Sequence, residues 1–390
     1  MQSHQSSRIN LTTATIINMN AVIGAGIFAL PVALQSQVGP AGLLTYLFVV
    51  ATVWCLARSF AYLAHQYPES GSFYNYVYPW GGHILGMFAT SCYLGGLTIA
   101  MGLLTRMVGS YCASLFPMLS ASNWSTALLI VLIAVHLSGA KMSTWGQRIL
   151  ICATLIPLLC ITTLCLTQAH ISYLFPFMPY GIRPLFLATK SVIFGFFGFE
   201  CITALSAQVV HPEVTIPRAL SYSILLVGAL YFFFTASIIL AIPADQMTNS
   251  MQPLTELLMH QFPQHTWLLR AVAVSIISAI LGTLHAMLWA ASALLTTTVR
   301  RVGVKWLHEK QALLMIGAAI GIAAYTITSI DLFFSITALL VVPAYILSLI
   351  TLLVQFRLLP HKLKWIAVIG FFAALFIAYC ALYSLIMALA

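Results

Sequence analysis

The hydrophobic pattern of this chain comes in blocks. Apolar runs of about 20 residues, the length that spans a bilayer as a helix, alternate with short polar joints. Read on that rule, eleven spans are expected: 11–35, 41–64, 82–115, 124–139, 144–168, 185–209, 217–242, 267–298, 311–330, 332–356 and 365–389. The fourth is short, and the third and eighth are long enough to tilt. The stretch 251–262, between spans 7 and 8, reads as a short surface helix. Residues 1–10 are polar, and the apolar run after them outlasts the core of a signal peptide, so no cleaved leader is expected.

Composition sharpens the class. Of 390 residues, 61% are hydrophobic and 6% charged, with a mean hydropathy of +1.01. A soluble domain would carry roughly a quarter charged residues. The expectation is an all-α integral membrane protein whose first partner is the lipid bilayer. The net charge of +9 does not point to nucleic acid, because the basic residues gather in the joints. All eight cysteines lie in apolar runs without a CxxC pair, which favours buried thiols over metal or disulfide. Histidines are scattered, and no HExxH or paired-acid motif suggests an enzyme or calls for a cofactor. No repeated pore signature or ring of charge suggests a channel.

Lys and Arg orient the spans. With the N-terminus in the cytoplasm, Arg8, Arg58, Lys141, Arg148, Arg218, Arg300, Arg301, Lys305, Lys310, Arg357, Lys362 and Lys364 fall at cytoplasmic ends. Only Arg106, Arg183, Lys190 and Arg270 fall on the outer side. The bias puts the N-terminus inside and, with eleven spans, the C-terminus outside. Five spans form an odd set, so a second set of five enters from the opposite face. Two inverted repeats, 11–168 and 185–356, followed by an extra helix 365–389, are therefore expected.

Span 1 carries GAGIF at 24–28, and span 6, the first of the second half, carries FGFFGFE at 194–200. Glycine lets a helix unwind at small steric cost. Unwound peptide groups cannot stay unpaired in lipid and must face a protein-lined cavity. Matched interruptions in the two halves are the sequence pointer to a midplane site. The alternative reading is glycines that let helices pack closely.

Five stretches resemble one family, the amino acid permeases of the amino acid–polyamine–organocation superfamily. They are GAGIFALP (24–31), PESGSFYNYVYPWGG (68–82), GAKMSTWGQRILICATLIPLL (139–159), FGFFGFECITALSAQVVHPEVTIPRAL (194–220) and LGTLHAML (281–288). The second resembles the family's loop between helices 2 and 3. The resemblance implies a LeuT-like fold of two inverted five-helix repeats, with discontinuous helices 1 and 6 and alternating access. It implies that a substrate carboxylate meets backbone around Gly24, Ala25, Gly26 and Ile27. The amino group would meet carbonyls at Ile23 and in the second break at Phe194 and Phe197, with Gly198 in the same break. Side-chain pockets of similar permeases correspond here to Thr98, Met101, Phe194, Phe197, Thr283 and Met287. Thr154 stands where many proton-coupled relatives carry lysine, which points to exchange or to another proton carrier. The usual acidic stretch after helix 8 is absent from TTTVRRVGVKWLHEK, and most relatives have a twelfth helix. The oligomeric state stays open.

Among seven acids only Glu200 lies deep in a span. A charged carboxylate is costly there, so it is a candidate proton carrier or gating group. The alternative is a neutral carboxyl bonded to unwound backbone. His285, in mid-span 8, can titrate near neutral pH or serve as a core histidine; a Glu200–His285 proton relay is the expectation. His136 reads as structural. Arg106 reads as a residue that reaches for the interface or pairs with a partner the sequence does not name, and Lys190 as one that reaches for the interface. Asn20, Thr154 and Thr283 could line a cation site, although neutral oxygens equally make structural hydrogen bonds, and sodium is less favoured than the proton.

The expected pocket is apolar, so a neutral, aliphatic or aromatic amino acid fits, carried by proton symport or exchange. A cationic amino acid or polyamine antiporter, using cation–π contact with Phe194 or Phe197, is the alternative. A substrate-sensing receptor is the alternative from another class. The bacterial inner membrane is the expected location.

Overall fold

The structure, a computed structural model, describes residues 9–24, 26–249, 254–303, 306–327 and 330–389. Its helices are α1 Leu11–Val22, α2 Gly26–Gln37, α3 Gly42–Gln66, α4 Phe73–Leu115, α5 Ala121–Leu137, α6 Ala140–Thr167, α7 Ile182–Phe194, α8 Pro212–Ala241, α9 Ala244–Asn249, α10 Leu254–Gln261, α11 Trp267–Arg301, α12 Glu309–Thr326, α13 Ile330–Val354 and α14 His361–Leu389. A 3-10 segment, Cys201–Gln208, follows α7. Among the described residues there is no strand, only a single bridge between Ile9 and Val209.

Among the described residues seven helices are long and apolar enough to cross a membrane, and α1 with α2, bent by 48°, is an eighth if the bent pair counts as one span. The other three expected spans map to shorter or interrupted pieces. α5 has 17 residues, α12 opens on Glu309 and Lys310, and span 6 is divided between α7 and the 3-10 segment.

Packing follows the two halves. α3 lies on α8, α4 on α11 and α5 on α12, while the pair α4–α13 is answered by α6–α11. The broken spans sit between these layers, with α1 against α8, α11 and α6. α14 covers α3 and α13 from outside and turns Phe372 and Tyr379 outward. Such outward apolar side chains face lipid rather than water.

Two expectations change. Residues 73–81 are helix rather than loop, joined to the rest of α4 across a kink at Gly82 (φ 66°, ψ −166°). Pro79 and the Gly81–Gly82 pair read as loop punctuation, but Phe73, Tyr76 and Val77 place an apolar stripe on the core, and that burial decides. The surface helix shrinks to α10, whose Leu254, Leu257 and Leu258 are buried against α2 and α11; residues 251–253 lie outside the described residues. α9 was not anticipated.

Close helix approach is set by small residues. A Cβ at Gly109 in α4 would overlap the Ser125 hydroxyl and the Ala121 carbonyl of α5, where Ser125 Oγ donates to Thr105 O at 2.9 Å. At Gly321 in α12 a Cβ meets open space. Gly109→Ala should therefore lower thermal stability by about 1–3 kcal/mol through overpacking. Gly321→Ala should leave it unchanged or raise it by up to about 1 kcal/mol from helix propensity. Melting of both variants in detergent checks the contrast.

Candidate functional site

Two half-helices stop in mid-bundle, and their ends meet. α1 ends at Val22, and Ile23 leaves the helix (φ −76°, ψ 90°). α7 ends at Phe194, and residues 195–200 continue as turns. A Cβ on Gly26 would lie 3.8 Å from the Gly195 Cα, so the two breaks touch. Gly198 holds φ 94°, and a Cβ there would come within 2.6 Å of Ala21 O. Only glycine suits both the dihedral and the approach.

The peptide groups freed by the breaks find hydroxyl partners, as the low dielectric requires. Thr283 Oγ1 on α11 lies 2.8 Å from Asn20 O and 3.0 Å from Ile23 O. Tyr231 on α8 points its hydroxyl at Val22 O (3.1 Å) and Gly195 O (3.2 Å). Polar side chains fix α1 elsewhere. Asn18 donates to Ser223 Oγ at 2.6 Å, and Asn20 donates to Gln147 O at 2.8 Å and to Gln147 Oε1 at 2.5 Å.

A cavity of about 470 Å³ adjoins both breaks. Gly24, Gly26, Phe194 and Phe197 come from the breaks, and Thr283 and Met287 from α11. α4 presents Ala100, Leu103, Leu104, Met107 and Tyr111, so the space runs from the breaks toward the C-terminal end of α4. No Asp, Glu, Lys, Arg or His lines it among the described residues. Its field comes from backbone: the C-terminal ends of α1 and α7 carry partial negative charge, and the start of α2 carries partial positive charge.

Six of the expected contact residues thus share the cavity: Gly24, Gly26, Phe194, Phe197, Thr283 and Met287. Ile23 and Ile27 are buried behind it, and Gly198 packs on α1. Thr98 and Met101 do not line it. The cavity face of α4 repeats at 100, 103, 104, 107 and 111, and positions 98 and 101 fall off that stripe. Thr98 instead donates to Leu94 O at 2.8 Å. Ala25 and the side chains of Lys190 and Asp331 lie outside the described residues.

The titratable candidates lie away from the cavity. Glu200 is 1% exposed and neighbours the hydroxyls of Tyr345 and Tyr93 and the Cys201 thiol. Tyr345 itself belongs to a cluster of rings with Phe60, Phe73 and Phe199, whose centroids lie 5.3–6.1 Å apart. The Glu200 Oε2 has no hydrogen-bond partner among the described residues. His285 sits edge-on to His136 with centroids 4.3 Å apart, in space left by Gly146. Neither His285 ring nitrogen has a hydrogen-bond partner among the described residues, so no hydrogen bond joins it to Glu200.

The three oxygen-bearing residues considered for a cation also separate. Thr283 and the Asn20 carbonyl meet at the first break. Thr154 instead bonds to Ser278 Oγ at 3.0 Å and accepts at its carbonyl from Ser275 at 2.6 Å. Arg106 donates to Ile327 O at 2.5 Å and lies 6.0 Å from the Phe333 ring. Sequence reasoning missed Tyr231, Tyr93 and Tyr345. Each is a hydroxyl in the middle of an apolar span, and that was the available signal.

Two sets of contacts join neighbouring elements at the end of the bundle where α1 begins. Ile9 exchanges backbone hydrogen bonds with Gln208 O (2.9 Å) and Val210 N (3.0 Å). Arg301 at the end of α11 donates to Ser70 O at 2.8 Å and Asn75 Oδ1 at 2.6 Å, and it lies 4.3 Å from the Tyr74 ring centroid.

Comparison with known proteins now has a geometry to meet. A family model described as amino acid permease matches residues 9–389. An uncharacterized transporter of Mycobacterium tuberculosis is 28% identical over 331 residues, covering 82% of this chain and 74% of its own. The branched-chain amino acid permease BcaP of Bacillus subtilis is 26% identical over 300 residues, covering 70% of this chain and 62% of its own. The crystal structure of MhsT in complex with L-phenylalanine aligns with a TM-score of 0.71 at 15% identity, covering 96% of this chain and 97% of that one. That likeness shows the LeuT-like fold.

Thr283→Val removes the one hydroxyl shared by the Asn20 and Ile23 carbonyls. A melt of the purified variant should show a loss of about 1–3 kcal/mol, the cost of leaving such carbonyls unpaired. Thr283→Ser, which keeps the hydroxyl, should lose much less.

Proposed function

The chain belongs to the amino acid permease family, and from that premise we propose that it moves neutral, chiefly apolar amino acids across a membrane by alternating access. It is a multi-pass membrane protein of a transporter family. One observation carries the substrate reading: a cavity without charged side chains adjoins the paired ends of two broken helices. The ends offer what a zwitterion needs. Carbonyls at Val22, Ile23 and Gly195 suit the ammonium, and the start of α2 at Gly26 suits the carboxylate. Phe194, Phe197 and Met287 then take the apolar side chain. A cationic amino acid or a polyamine would find no acid on this wall, which counts against that alternative.

Alternating access rests on the two halves, 11–168 and 185–356, acting as inverted repeats, a reading that the mirrored helix pairing supports. With the N-terminus in the cytoplasm and the C-terminus outside, the cavity lies toward the outer side. Arg301 and the Ile9–Gln208 pairing then seal the inner side. Glu200 is the proton carrier in this reading. It follows the second break, is buried beside the Tyr345 and Tyr93 hydroxyls, and has one oxygen without a hydrogen-bond partner among the described residues, so protonation there would bear on how the 3-10 segment packs. The groups facing it are Tyr93 of α4, Tyr345 of α13 and its neighbour Cys201. Sodium is less favoured, because the Thr154 hydroxyl lies with Ser278 and not at the first break with Asn20 and Thr283.

Liposomes holding the purified protein and loaded with an unlabelled neutral amino acid should accumulate its labelled form by counterflow. Lysine and putrescine should not be accumulated. Binding of neutral amino acids without flux would favour a receptor, and counterflow of cationic amines alone would overturn the substrate class. In the same vesicles Glu200→Gln should lose the stimulation by an inward proton gradient more than it loses exchange. An unchanged response to the gradient would remove Glu200 from the coupling.

A further inference from the structure

The seam between α3 and α8 carries a cation that no acid answers. The two helices run antiparallel, and three contacts fix their register. A Cβ on Gly228 would come within 2.8 Å of the Val50 side chain. Two turns along, Arg58 donates from Nη1 to Ser221 Oγ at 3.2 Å. Near the end of α3, His65 Nδ1 lies 2.8 Å from Glu213 O. Arg58 is half-buried and stands well before the end of α3 at Gln66, about 12 Å inside it by helix rise.

A guanidinium at that depth is costly unless it reaches the interface or finds a partner. Ser221 is neutral, and its own hydrogen goes to Pro217 O at 2.9 Å. The Trp54 ring, 6.0 Å away, adds a weak cation–π contact. α14, which covers another flank of α3, contains no acid, and neither does α3. α8 contains only Glu213, whose carboxylate lies 3.7 Å from His211 Nδ1. Among the described residues no carboxylate pairs with Arg58 or with Arg218. Arg218 is exposed, one turn before Ser221 on α8. From Arg218 the exposed stripe of α8 continues at i+4 and i+7 with Tyr222 and Leu225. A basic tip, an amphipathic ring and then an aliphatic side chain follow the order of a phospholipid from headgroup to tail.

We propose that the lipid-facing groove along the α3–α8 seam binds an anionic phospholipid. Its phosphate sits on Arg58 and Arg218, and an acyl chain runs along Tyr222 and Leu225. The planar guanidinium fork suits a phosphate, which it can meet with two parallel hydrogen bonds. Ser221 holds the Arg58 fork on the α8 side, one turn from Arg218, so that one headgroup can meet both. With the N-terminus in the cytoplasm the groove opens to the inner leaflet, where anionic lipids give the surface its negative potential. The bound lipid would tie a helix of the first half to a helix of the second.

The test adds lipids one at a time to the full-length protein in neutral detergent and counts bound molecules by native mass spectrometry. Phosphatidylglycerol is the anionic probe, phosphatidylcholine the zwitterionic one, and inorganic phosphate the anion without tails. The first phosphatidylglycerol should bind about tenfold more tightly than phosphatidylcholine. Arg58→Gln combined with Arg218→Gln should abolish that preference. Lys362→Gln combined with Lys364→Gln should keep it. That pair removes as much charge from the same end of the bundle, where Gly370 of α14 adjoins Ser59 of α3. No preference in the wild type, a preference that survives loss of both arginines, or equal loss in the two double variants would overturn the proposal. Displacement of the lipid by inorganic phosphate at comparable concentration would overturn it in favour of a free-phosphate site. Should the arginine variant not fold, a photoactivatable phosphatidylglycerol applied to the wild type decides. Its crosslinks should concentrate on peptides covering 54–66 and 216–226, and even labelling of all spans would overturn the proposal.

Discussion

A peptide group freed inside a bilayer has to find a partner, and the arrangement of this protein follows from how two such sets of groups are satisfied. The chain leaves the helix at Ile23–Gly24 and again after Phe194. Thr283 from α11 and Tyr231 from α8 supply the hydroxyls that the first break needs. Gly198 lets the second break lie against the carbonyl of Ala21. Neither break is a gap in the structure. Each is a place where helix hydrogen bonds are exchanged for bonds to a neighbouring helix, with a remainder turned toward the cavity.

That exchange has a consequence for motion. α3, α4, α8 and α13 are held by long apolar interfaces that resist deformation. The broken spans bury apolar side chains as well, but at the breaks themselves their backbone is held by a few hydrogen bonds of roughly 1 kcal/mol each. Elements that move are drawn from the less stable parts of a structure. At the end where α1 begins, Arg301 grips the turn before α4, and Ser72 of that turn pairs with Thr203 at 2.7 Å. Thr203 in turn donates to Glu200 O at 2.8 Å. One chain of contacts therefore runs from the end of α11 to the acid beside the second break.

Much of the fold was legible in the sequence, because lipid imposes a simple rule on span length and backbone pairing. The eleven runs and both breaks could be found from apolar blocks and glycines. The helix at 73–81 could not, since Pro79 and Gly82 are turn residues by type and only the burial of Phe73 and Tyr76 overrides them. The site was legible in part. Gly24, Gly26, Phe194, Phe197, Thr283 and Met287 gather at the cavity, because a break and its facing helix are tied together by the pairing rule. Thr98 and Met101 fell off the cavity face, because a helix of 43 residues with a kink has no register that spacing alone can set. Tyr231 escaped notice because what matters is the neighbour above it, and a lone sequence says nothing of neighbours.

The central claim is that the two unwound stretches present backbone to a small zwitterion. Hydrogen–deuterium exchange of the protein in nanodiscs tests it directly, read on peptides covering 23–28 and 194–200. The account predicts exchange much faster than in the middle of α3 without ligand, and clear slowing in both peptides when a transported amino acid is added. Exchange as slow as in α3, or a ligand that slows neither stretch, would contradict it.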